Sequence, residues 1–112
     1  MMMLTKQQIE ELKANGIETA RTGEGDHKPV VKWFGFSSMT FLFTEIDPEN
    51  DDLIFGLADL GMGFPEMGWN SISELTSVSR GGMKLERDMY FKADKVLSEY
   101  AADARAEGRI KT

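Results

Sequence analysis

The chain has 112 residues, 41% of them hydrophobic and 29% charged, which is the size and composition of one soluble globular domain. It contains no cysteine, so disulfides, thiolate metal sites and cysteine nucleophiles are excluded and a reducing, cytoplasmic setting is expected. The net charge of −6 is uneven: residues 45–75 hold eight acidic side chains and no Lys or Arg, a segment that repels phosphate and argues against direct nucleic-acid binding there.

At the N-terminus, "MMMLTKQQ" has no apolar core of a signal peptide, and no apolar run approaches the ~18 residues of a membrane span, so no membrane association is expected. Thr5 and Gln8 have the spacing of a capping box, with Leu4 and Ile9 as its hydrophobic staple. A short helix is predicted from there, stopped at Gly16 after Asn15. Residues 18–29, polar and rich in Gly and Pro, read as a loop. Three strands follow, "VVKWFGF" (30–36), "MTFLFTEI" (39–46) and "LIFGLADL" (53–60), all rich in β-branched and aromatic residues. "FSS" supplies the first turn and "DPENDD" the second, which makes the last two strands a hairpin. Apolar residues occur on both faces of these strands, so helices should cover one side of the sheet and part of the other.

"GMGFPEMGWN" (61–70) reads as a turn and then a short strand through Met67–Asn70. "SISELTSV" (71–78) opens a short helix with a second capping box, Ser71 and Glu74. "MKLERDMYF" (83–91) alternates and is predicted as one strand, with Leu85 and Arg87 on the same side. From Ala93 to Glu107, a stripe of Ala93, Val96, Leu97, Tyr100, Ala101 and Ala104 predicts a helix closed by Gly108. The order gives an α+β fold: an antiparallel sheet of four to five strands with N-terminal, short central and C-terminal helices packed on it. The whole of residues 1–112 forms one domain in this reading.

Chemistry is sparse. Asp47, Glu49 and Asp51 stand at the i, i+2, i+4 spacing of a calcium loop, but Asp52 replaces the expected glycine, no closing bidentate Glu follows and Pro48 stiffens the second position. A solvated hairpin turn is the reading, with no metal and no cofactor expected. His27, the single histidine, lies in a polar loop beside Asp26 and has no convincing nucleophile near it in sequence, so it reads as a surface residue. "GMGFPEMG" lacks the Lys-Ser/Thr ending of a phosphate loop. Arg87 faces the core side, where a charge needs a partner; Glu45, Asp47, Asp59 or Glu66 could provide it.

"LTKQQIEEL", "TEIDPENDDLIFGLADLG", "EMGWNSISELTSV" and "LERDMYF", in this order and spacing, resemble a bacterial family labelled a domain of unknown function, number 2958. The resemblance runs from about Leu4 to Phe91 and is most specific at Glu45-Ile46-Asp47, Phe55-Gly56, Glu66 through Leu75 and Glu86-Arg87-Asp88. Members often have Tyr-Phe where this chain has Trp69-Asn70, and the helix at about 93–107 reads as this chain's own addition. The resemblance implies no activity. It implies a setting, small intracellular proteins of plasmids, phages and other mobile elements.

The leading reading is therefore a non-enzymatic interaction or accessory module. It would use an acidic, aromatic-containing surface to meet a protein partner that is basic or handles nucleic acid. The alternative is a small-ligand or enzymatic site built from Glu45, Asp47, Glu66, Trp69 and Arg87, which requires these five to converge. A third reading, nucleic-acid binding through the basic C-terminal third, needs Arg80, Lys84, Lys92 and Lys95 on one surface.

Overall fold

The computed structural model describes residues 3–35, 38–77, 79–80 and 83–112. Helix α1 (Lys6–Thr22) is followed by strands β1 (Val31–Phe34), β2 (Thr40–Asp47), β3 (Asn50–Asp59) and β4 (Glu66–Ser71). Helix α2 (Ile72–Ser77), strands β5 (Ser79–Arg80), β6 (Met83–Lys84) and β7 (Glu86–Arg87), and helix α3 (Leu97–Glu107) complete the chain. Five strands form an antiparallel sheet in the order β4-β3-β2-β1-β7, and β5 and β6 pair separately. This is the expected α+β architecture. Phe36 and Ser37, the last residue of the first predicted strand and the middle of its turn, and Val78 of the predicted short helix lie outside the described residues. No helix among the described residues is long and apolar enough to cross a membrane.

Strand alternation divides the core in two. Phe41, Phe43, Ile46 and Ile54 pack with Trp33 and with Leu12 of α1, whereas Leu42 and Leu57 pack with Leu97, Tyr100, Ala101 and Ala104 of α3. The central strand β2 is thus covered on both faces, and its residues Phe41 to Ile46 are all buried. That is why "FLF" is apolar at consecutive positions.

The capping box at the start of α1 forms as expected: Gln8 N–H donates to Thr5 Oγ1 at 3.0 Å and Thr5 N–H to Gln8 Oε1 at 2.9 Å. The stop at Gly16 does not. The helix continues to Thr22 and ends on Gly23, which has the left-handed φ of 75°. Gly16 is buried where the helix lies directly on β2, and a Cβ there would stand 1.9 Å from the Ile46 carbonyl oxygen. The glycine serves close approach, not termination. Beside it, Asn15 Nδ2 donates to the Thr44 carbonyl at 2.9 Å, at the point where the β2–β3 register shifts between Phe43 and Glu45.

Two further expectations need correction. "MKLERDMYF" is not one strand: Leu85 turns into the core between β6, which pairs with β5, and β7, which pairs with β1. The last helix begins at Leu97, after Val96, and not at Ala93. Leu97 N–H donates to the His27 carbonyl at 2.9 Å, and the Asp26 carboxylate accepts from the Ser98 N–H at 3.0 Å and from the Ser98 hydroxyl. A carboxylate from a distant loop therefore caps α3, whose own Val96 has no capping side chain. The buried stripe of Leu97, Tyr100, Ala101 and Ala104 and the Gly108 close are as expected.

Candidate functional site

The acidic run divides its work among three places. Asp47 and Asn50 pair across a two-residue turn of Pro48 and Glu49, and each side chain accepts a backbone N–H two residues on, at 2.8 and 3.0 Å. Asp51 lies 3.6 Å from Lys13 of α1 as an exposed ion pair, an arrangement of little energetic weight. Asp52 reaches the start of α2, where it accepts from the Ser73 N–H at 2.8 Å and from the Ser71 and Ser73 hydroxyls at 2.6 and 2.9 Å. The Ser71 hydroxyl, and then the Ser73 backbone and hydroxyl, hold the Asp52 carboxyl below the usual carboxylate range. In this run Asp47 thus serves the turn, Asp51 meets Lys13 and Asp52 holds the start of α2. No group of three or more potential metal ligands converges among the described residues.

Glu45 is different. It is buried, and Thr19 Oγ1 donates to its Oε2 at 2.9 Å. The same hydroxyl lies 3.4 Å from His27 Nε2. Burial pushes the Glu45 carboxyl above its ordinary range, against the opposing pull of the Thr19 hydrogen bond and of the His27 charge. His27 is half-buried in this network and is not the surface residue expected from its loop. Sequence separations of 8 and 26 connect it to no motif. A Cβ on Gly25 would lie 1.8 Å from Thr19 Oγ1, so the Gly25 backbone lies close against the hydroxyl. The cluster ties α1, β2 and the loop that caps α3.

The five residues of the alternative site are spread across the sheet. Glu66 and Trp69 share β4 at one end of the strand order, and Arg87 lies on β7 at the other, four strand spacings or roughly 19 Å away. Arg87 is in register with Trp33, and Trp33 with Phe41. Two strands over and four residues along, Glu45 is roughly 17 Å from Arg87 between Cα atoms, too far for the expected ion pair between them. Asp47, at the hairpin turn, is farther still. Asp59 is buried and accepts the Gly61 and Ile110 N–H groups at 2.8 and 2.9 Å. One row does connect three of the strands: Glu45 is in register with Phe55, and Phe55 with Trp69. The Phe55 and Trp69 rings meet at 5.2 Å.

β4 and the loop that leads into it hold an apolar surface. Trp69 is 47% exposed, Met67 41%, Phe64 80% and Met62 68%. Gly63, Phe64, Pro65, Glu66 and Met67 line a shallow hollow of about 570 Å³, with Arg105 of α3 on its other side. β4 pairs only with β3 and ends the sheet, so its second edge has no strand partner among the described residues. Of the cations of the third reading, Lys92 and Lys95 line one cavity, Lys84 lies on the separate hairpin, and Arg80 falls outside the residues whose side chains are described.

A protein-family model described as "Protein of unknown function (DUF2958)" matches residues 3–111. The match includes α3, which lies beyond the narrower resemblance over Leu4–Phe91. No curated protein and no solved structure matches the chain.

Proposed function

The chain belongs to this family of unknown function, and we propose that it is a non-enzymatic interaction module, a cytoplasmic accessory protein that presents the free edge of β4 to a basic protein. One observation carries the reading: four large apolar side chains lie exposed together, Met67 and Trp69 on a sheet edge with no strand partner among the described residues and Met62 and Phe64 in the loop leading into it. The surrounding segment, residues 45–75, has eight acidic side chains and no Lys or Arg. A free edge is a template for another strand. The occupant is an extended, Lys- or Arg-rich segment of the partner, added to β4 as a sixth strand. Main-chain hydrogen bonds supply affinity. Met67 and Trp69, on one face of β4, provide apolar anchors, and Glu66, on the other, meets a basic side chain.

A basic segment of this kind suits a nucleic-acid-handling partner, in keeping with the mobile-element setting implied by the family resemblance. Tagged protein incubated in extract of the host should retain a basic protein at low salt and release it at high salt. Trp69→Ala should lower retention at least tenfold, as expected of a central aromatic anchor. Amide exchange in the complex should slow at β4. Recovery of no partner at either salt, or protection elsewhere than β4, would refute the reading.

A further inference from the structure

On the opposite side of the sheet order from β4, a cavity of about 320 Å³ opens between β1, the turn after β7 and the residues flanking α3. Four lysines line it, Lys32, Lys92, Lys95 and Lys111, against two carboxylates, Asp88 and Asp94. In a chain of net charge −6 this brings Lys32 and Lys111 together with the neighbouring Lys92 and Lys95.

Three of these ammonium groups have acidic neighbours. Lys32 Nζ donates to Thr112 Oγ1 at 2.6 Å and lies 3.7 Å from Asp88. Lys95 pairs with Asp103 and sits 4.8 Å from the centre of the Tyr100 ring. Lys111 is 3.6 Å from Glu107. Lys92 has no ion pair among the described residues. The carboxylates in the lining are themselves engaged: Asp88 Oδ1 accepts the Tyr90 N–H at 2.9 Å, and Asp94 Oδ1 accepts the Tyr100 hydroxyl at 3.0 Å.

Tyr90 completes the arrangement. The residue is 91% exposed, the highest value among the described large apolar or aromatic residues. Its backbone, however, is tied down. Asp88 accepts the Tyr90 N–H through its side chain, Phe91 N–H reaches the Asp88 carbonyl at 3.4 Å, and Asp88 N–H donates to the Lys32 carbonyl at 2.9 Å. An uncovered aromatic ring is thus carried on an anchored turn at the rim of a lysine-lined cavity.

We propose that this cavity binds a nucleoside monophosphate, with Lys92, Lys32 and Lys111 taking the phosphate and Tyr90 stacking on the base. Lysine is a point-charge donor suited to phosphate, and an aromatic face stacks on any base. The volume lies at the lower end of small-molecule sites, which favours one nucleotide over a larger cofactor. The site is remote from β4 and stands or falls independently of the role proposed for that edge.

Isothermal titration of the full chain at low salt with adenosine monophosphate, adenosine and inorganic phosphate tests the assignment. The monophosphate should bind at least tenfold more tightly than either part alone. Lys92→Glu should weaken it by tenfold or more, and Tyr90→Ala by about tenfold, the effect of losing one base–aromatic stack. Both side chains lie at the rim or surface, and unchanged circular dichroism would show that the variants fold. Three results overturn the proposal: no binding of the monophosphate, equal binding of phosphate and monophosphate, or folded variants with wild-type affinity. Binding of single-stranded oligonucleotide with no binding of the monophosphate overturns it as well.

Discussion

At Glu45, burial and hydrogen bonding pull the carboxyl in opposite directions, and burial wins. A carboxyl raised in the folded state contributes stability that is complete below its unfolded pKa and is lost as pH rises through the folded value. Glu45→Gln keeps an acceptor for Thr19 and removes the titration. The variant should therefore gain on the wild type as pH rises from about 4 to 7, because only the wild type must hold a buried charge. Melting temperatures of the two proteins across that range test this, and a difference that stays flat with pH would refute it. Asp52 has the opposite sign: its lowered carboxyl pKa stabilises above the unfolded value, and that contribution is lost in acid. Gly16 is a residue-scale matter too. A methyl group at this position would stand 1.9 Å from the Ile46 carbonyl oxygen, so Gly16→Ala must push α1 off β2. We expect a loss of about 1–3 kcal/mol in urea unfolding, despite alanine's better helix propensity.

Among the elements, the two long helices are capped by different means. α1 carries its own cap, so Thr5→Ala should cost about 1 kcal/mol. α3 borrows its cap from Asp26. Asp26→Ala should cost a similar amount, about 1 kcal/mol, and should raise amide exchange selectively in the first turn of α3. Equal protection there in both proteins would show the contact to be incidental. The capping box was legible because its two residues are three apart in the chain. The start of α3 was not, because its capping carboxylate is 72 residues away. Likewise, the alternation of "MKLERDMYF" satisfies a strand pattern, but pattern does not say which partner each half finds. Leu85 fits into the core against Gly35, and the chain changes sheets around it.

For the molecule as a whole, charge is uneven: β4 lies within a stretch of chain, residues 45–75, that has acidic side chains and no Lys or Arg, and four lysines gather at the cavity beside β7. Binding at the β4 edge should weaken steeply with ionic strength in the wild type. Glu66→Lys should lower retention of a basic partner and flatten that dependence, measured by retention across a salt series. An unchanged salt response would place the contact elsewhere. The chain alone determined the α+β class, the hairpin turning within "DPENDD", the first helix cap and the acidic centre, because each depends on local pattern or composition; that the turn narrows to Pro48 and Glu49 came from the strand register. Tertiary structure alone decided that Gly16 is a contact and not a stop, and that Glu45, Thr19 and His27 meet. It also decided that Glu66 and Trp69 stand at the opposite edge from Arg87, and that Lys32, Lys92, Lys95 and Lys111 share one cavity. The physical reason is the same in each case: strand order and helix packing set these distances, and neither is encoded in the spacing of residues along the chain.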